Sequence, residues 1–192
     1  MSKFNDKYRI ESIRIKGYDY SQDGYYYLTI CAKDRKCIFS EIIDDSVILS
    51  DLGNIIEEEL KKSCEIRKEI ILDEYIIMPN HIHLIIRIEK INSNENYRVS
   101  DKPLNEEEEK TTHRSSLHLK NFYKKSVASF VMGFKQAVTR SYRTKIDNQK
   151  YEMWQPRFYE NIIRSEKTLF SIRNYIQNNP INWEIDEYKK TI

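Results

Sequence analysis

The sequence predicts an α+β domain, a ferredoxin-like (split βαβ) antiparallel sheet with helices on one face plus an extra C-terminal helix. Runs rich in β-branched and aromatic residues, of strand length, alternate with longer segments whose apolar residues recur at helical spacing. The resulting order is strand, helix, strand, strand, helix, strand, helix, and its first six elements match the split βαβ plan. A length of 192 residues suits one domain, taken as 1–192.

The elements follow in order. "GYYYLTICA", Gly24 to Ala32, is aromatic and β-branched and reads as a strand. Ser50 can cap a helix that carries Leu52, Ile55, Ile56 and Leu60 on one stripe, with Glu57 to Glu59, Lys61 and Lys62 outside. "KEIILDEYIIMP" and "HIHLIIRIE" follow as two strands around a Pro79–Asn80 turn. Residues 92–121 hold few apolar side chains and a run of four glutamates, a composition that cannot bury a core and predicts a flexible insertion. His113 and His118, in or near it, are expected to be solvated. Val127, Phe130, Val131, Phe134 and Val138 then mark a helical stripe. "YEMWQPRFYENIIR" predicts a strand or irregular segment, since Pro156 argues against an uninterrupted central strand. The final helix starts near Ser165, an acceptable N-cap, and stops at Pro180.

Composition narrows the function classes. No apolar run approaches the ~20 residues of a membrane span. The first ten residues hold no apolar signal core, so a cytoplasmic location is expected. Three cysteines, Cys31, Cys37 and Cys64, form no CxxC pair and read as reduced thiols. Charge is uneven. Residues 1–111 hold 17 Lys and Arg against 23 Asp and Glu, whereas residues 112–192 hold 15 against 7. A basic half suits a polyanion partner, and equally a set of solvated basic helices.

The stretch "EYIIMPNHIHLII", Glu74 to Ile86, carries the strongest chemical signal. Strand side chains alternate faces, so His81 and His83 project together, roughly 6.6–6.8 Å apart along the strand. Two such imidazoles can converge on one ion. They can also be two histidines on a solvent-facing strand with no metal, and spacing alone leaves both readings open. Ile82 and Leu84 point the other way, into the expected core, so the histidines are expected to line the open face.

"MPNHIHLI" resembles the His-hydrophobic-His signature of HUH endonucleases, particularly the single-tyrosine transposases. The resemblance extends to other blocks. "GYDYSQDGYYYLTICAKDRKCIFSEI" is similar to the N-terminal strand region of the branch related to REP-associated tyrosine transposases, and "ASFVMGFKQAVTR" to its central helix. "MWQPRFYENIIRSEKTLFSIRNYIQNNPINW" resembles its C-terminal block. These segments cover most of the chain outside the insertion.

The resemblance implies a metal-dependent enzyme that nicks single-stranded DNA and transfers the strand through a 5′-phosphotyrosine, acting on hairpin or repeat DNA. It places the nucleophile at Tyr175 of "YIQNNP", on the last helix, with His81, His83 and Asn179 as metal ligands. The residues are compatible with this: Tyr175 lies roughly 90° round from the Leu169, Ile172, Ile176 stripe, and Asn179 follows one turn later. They are equally compatible with a helix-anchoring tyrosine and a capping asparagine. Tyr159 is a second candidate nucleophile with packing as its alternative role. Oxygen and imidazole ligands with open positions suit Mg²⁺ or Mn²⁺.

For single-stranded or hairpin DNA, Lys124, Lys125, Lys135, Arg140 and Arg143 can neutralise phosphates, and Arg157, Phe158 and Tyr159 can combine charge with stacking. The family includes monomers and dimers that share active sites in trans, so a homodimer is an open expectation. The match departs at Asn161, where many relatives carry histidine. An asparagine cannot act as a base near neutral pH. A domesticated, catalytically weak hairpin-binding protein of the same fold is therefore the alternative.

Overall fold

The computed structural model describes residues 3–4, 7–8, 15, 17–89 and 126–189. The predicted insertion at 92–121, together with His113, His118, Lys124 and Lys125, lies outside the described residues. After a short ladder pairing Lys3–Phe4 with Lys7–Tyr8, the main elements are β1 (Gly24–Cys31), β2 (Ser40–Ile43), β3 (Ser46–Leu49), α1 (Asp51–Ile66), β4 (Ile70–Ile77), β5 (His81–Ile88), α2 (Val127–Lys145), β6 (Tyr159–Ile163) and α3 (Glu166–Gln177). The fold is mixed α/β. Four strands form one sheet in the order β4-β5-β1-β6, and every neighbouring pair is antiparallel.

Each helix begins where the sequence places a hydroxyl. The Ser50 side chain accepts from the Gly53 amide at 3.0 Å, and Ser165 accepts from the Thr168 amide at 3.2 Å, each satisfying an orphan donor of the first turn. Ser126 does the same for Ser129 at the start of α2. Two elements differ from the sequence expectation. A hairpin, β2 with β3, stands between β1 and α1. Asp44 and Asp45 form its turn with φ of 47° and 57°, the left-handed conformation that short polar side chains tolerate.

Pleating sorts the sheet into two faces. Tyr26, Leu28 and Ile30 of β1 and Ile82, Leu84, Ile86 and Ile88 of β5 meet α1 and α2 in the main core. The α2 stripe of Val127, Phe130, Val131, Phe134 and Val138 is fully buried there. The opposite face is not open, as the sequence suggested. Leu169 and Ile176 of α3 pack on Ile85 and Ile163, with Tyr25, Tyr27, Ile76 and Ile172 around them. An apolar stripe on a terminal helix needs a partner, and the alternate residues of the same strands supply it.

Polar contacts fix where α3 sits. A register shift between Leu72 and Glu74 marks a bulge at Asp73 in β4. The Asp73 carboxylate there receives both Nε and Nη2 of Arg173, the Nε contact at 2.7 Å. One turn on, Gln177 Nε2 donates to Glu74 Oε2 at 2.9 Å.

Gly53 shows how tightly α1 meets the preceding loop: a Cβ added there would stand 2.1 Å from the Phe39 backbone oxygen. Gly→Ala inside a helix usually stabilises, by about 1 kcal/mol. Here overpacking should reverse the sign, so Gly53→Ala is expected to lose about 1–3 kcal/mol in urea denaturation.

Candidate active site

The site forms where β5 and β1 face α3. His83 is paired across the sheet with Thr29, and Thr29 with Tyr159, so these side chains stand in one row. Both imidazoles are 0% exposed, and their ring centroids are 4.4 Å apart. Tyr175, on α3, is 42% exposed, and its hydroxyl lies 3.3 Å from His83 Nε2. Asn179, just beyond the helix end, is 1% exposed. Phenol, imidazoles and amide thus come together within one chain.

Two side chains of this cluster carry atoms without a well-formed hydrogen bond: His81 at Nε2, and the Asn179 amide at both Oδ1 and Nδ2, although that amide lies near enough to Tyr175 and Asp186 to act on both. Buried polar atoms are rarely left so. Burial holds His83 down to about 3 and His81 well below the usual histidine range, His81 also through its neighbour His83 and Arg35. Both rings are therefore neutral, the form that ligates a metal. No group of three His, Cys, Asp or Glu side chains among the described residues could hold a metal ion. The donor set of two imidazoles and an amide oxygen fits a divalent cation.

The phenol is not activated by its protein surroundings. Burial raises the Tyr175 pKa, the nearby Asp186 carboxylate raises it further, and the Asn179 amide opposes them. Asp186 is itself buried, and desolvation lifts its carboxyl above the usual range against the pull of the Tyr188 amide and Asn179. No pattern in the sequence marks Asp186 as part of the site.

The segment after Pro180 closes the cluster. Tyr188 places its ring 4.6 Å from that of His81 and 5.7 Å from that of His83, and Trp183 lies 6.2 Å from His81. Asn80 Nδ2 donates to Tyr188 O at 2.7 Å, and Arg35 stacks over the Tyr188 ring at 5.2 Å. These side chains help to leave both imidazoles 0% exposed.

The residues expected to bind DNA are divided between the two faces. Tyr159 is on the histidine face, its ring 6.2 Å from Tyr27. Asn161 is exposed on the same face, opposite Tyr27. Lys135, Arg140, Arg143 and Phe158 instead line a groove of about 810 Å³ along α2. The described lining of this groove holds no Asp or Glu. Within it, burial lowers Lys135 to about 8, and its ammonium donates to Gln155 O at 2.6 Å. Arg143 Nε donates to Tyr151 O at 2.9 Å, whereas Arg140 is exposed to solvent. Arg157 is exposed as well.

The neutral histidines make stability depend on pH. Their folded pKa values lie below the unfolded value near 6.5, so the unfolded chain binds more protons as acid is added. Their contribution is complete above pH ~6.5 and is lost as pH falls towards about 3. Thermal denaturation followed by circular dichroism should show the midpoint dropping through this window. A His83→Asn variant should show a shallower acid limb.

Comparison with known proteins points to one family. No protein-family model matches the chain. An uncharacterized protein of Haemophilus influenzae is 36% identical over 92% of this chain and 91% of its own length. A second protein of that organism, provisionally named a REP-associated tyrosine transposase, is 24% identical over 85% of this chain and 73% of its own. The fold is similar to a solved REP-associated tyrosine transposase bound to a REP hairpin, with a TM-score of 0.56 and 16% identity over 91% of this chain and 74% of that one. The chain is thus similar to the REP-associated tyrosine transposases, in fold and, at lower identity, in sequence.

Proposed function

We propose that this protein nicks and rejoins single-stranded DNA at hairpin or repeat sequences, with Tyr175 as nucleophile, on a ferredoxin-like scaffold. The observation that carries the reading is the Tyr175 hydroxyl 3.3 Å from Nε2 of a buried, neutral His83, beside atoms of His81 and Asn179 that make no well-formed hydrogen bond. The solved relative's hairpin-bound form supports the choice of DNA.

In the proposed reaction the Tyr175 oxygen forms a bond to phosphorus as the bond from phosphorus to the 3′ oxygen breaks. The phenol loses its proton towards solvent on its exposed side, and the departing 3′ oxygen gains one. The 5′ phosphate stays on the tyrosine, and a 3′-hydroxyl can reverse the step without an external energy source. His81, His83 and Asn179 would hold Mg²⁺ or Mn²⁺, whose charge would polarise the scissile phosphate and offset charge developing on its oxygens. Ile76, Ile85 and Ile172 hold α3 against the sheet and keep the phenol at the imidazoles. Tyr159 offers an exposed ring to an unpaired base on the same face.

One observation favours the alternative, a catalytically weak hairpin binder: both imidazoles are wholly covered. A labelled hairpin taken from repeats flanking the coding region, incubated with Mn²⁺ and resolved by denaturing electrophoresis, separates the two. Nuclease activity predicts a covalent adduct that disappears in Tyr175→Phe and drops at least tenfold in His81→Ala. An adduct surviving in Tyr175→Phe removes Tyr175 as the nucleophile. Binding without adduct, indifferent to Mn²⁺ and to His81→Ala, establishes the weak binder. For the groove, Arg140→Ala should reduce the salt slope of hairpin binding by about 0.9, measured by fluorescence anisotropy.

A further inference from the structure

We propose that Asn80, Tyr27 and Thr29 are positioning residues that hold His81 and His83 in the tautomer with hydrogen on Nδ1, so that both Nε2 lone pairs face the site. None of the three was singled out by the sequence as a site residue, and none touches the phosphate in the proposed reaction. Each acts through an imidazole.

For His81 the geometry leaves one assignment. Asn80 Nδ2 donates to two carbonyls, Arg35 O at 3.1 Å and Tyr188 O at 2.7 Å. Its Oδ1 is therefore the atom 2.8 Å from His81 Nδ1. An amide oxygen only accepts, so His81 Nδ1 carries the hydrogen. Nε2 is left as a lone pair, and it is the buried ring atom with no protein partner.

His83 needs more support, because hydroxyls both donate and accept. Its Nδ1 lies 2.7 Å from the Tyr27 hydroxyl and 2.9 Å from Thr29 Oγ1. Both come from β1, and Thr29 stands directly across the ladder from His83. A hydrogen on Nδ1 satisfies both oxygens as acceptors, and Tyr175 can then donate to Nε2 from 3.3 Å. The opposite tautomer would place hydrogen on Nε2, where a ligand needs the lone pair. The neutral histidine side chain in water prefers hydrogen on Nε2, so the fold has to override that preference. Which ring nitrogen is protonated follows from the hydrogen bond made by the other.

The test has two arms. In the first, the cation-free protein with ¹⁵N-labelled histidine is studied by heteronuclear NMR. Hydrogen on Nδ1 is expected for both rings, and the double variant Tyr27→Phe with Thr29→Val should shift His83 towards the Nε2 tautomer. In the second, free Mn²⁺ is counted by electron paramagnetic resonance, an arm that rests on the cation reading above. The double variant should bind Mn²⁺ about 10–100-fold more weakly, and serine in place of valine at position 29 should restore much of the loss.

Hydrogen on Nε2 of His83 in the wild-type protein overturns the proposal. So does a folded double variant, with an unchanged melting midpoint, that keeps both its tautomer and its Mn²⁺ affinity. Should the double variant fail to fold, the wild-type spectrum alone decides, because it reads the hydrogen on each ring directly. A wild-type protein that takes up no Mn²⁺ removes the cation reading, while the NMR arm still settles the tautomers.

Discussion

The docking of α3 onto the histidine face is the interaction on which the site depends. Leu169 and Ile176 bury themselves against Ile85 and Ile163, and Arg173 grips Asp73 at the bulge of β4. Without that contact Tyr175 would have no fixed relation to β5. The same contact also desolvates the imidazoles it meets. Assembly and burial are thus one event. It leaves both histidines neutral, and it raises the phenol that sits beside them.

That coupling explains a tension in the chemistry. A half-exposed phenol beside neutral rings and near a carboxylate is not activated by its surroundings, because partial desolvation and that carboxylate both favour the protonated form. His81 Nε2 and the Asn179 amide atoms are buried there without a hydrogen-bond partner. In the proposed function a cation held by these residues would repair that deficit. Trp183 and Tyr188 help to cover the His81 ring.

The pleat of β6 and the segment before it distributes the groups expected to bind DNA. Phe158 packs with the main core on the α2 side, and Tyr159 turns to the histidine side. Neighbours in sequence therefore serve opposite faces. Lys135, which the sequence suggests as a phosphate ligand, is largely committed to Gln155 O and to the Trp154 ring 5.6 Å away. A cation on an amphipathic helix announces itself by type, yet only packing says whether its head reaches water.

The sequence by itself determined the alternation of β5, because a period of two assigns His81 and His83 to one side and Ile82 and Leu84 to the other whatever surrounds them. It determined the helix starts at Ser50 and Ser165 as well, since a cap is a local bond between residues three apart. The β2 and β3 hairpin escaped it, for Asp44 and Asp45 give a weaker turn signal than a glycine. Which face α3 covers, and hence the burial of the histidines, came only with the folded chain. So did the partners Thr29, Asn80 and Asp186, because pairing across strands and closure by the last residues join positions dozens of residues apart, and no local pattern encodes that distance.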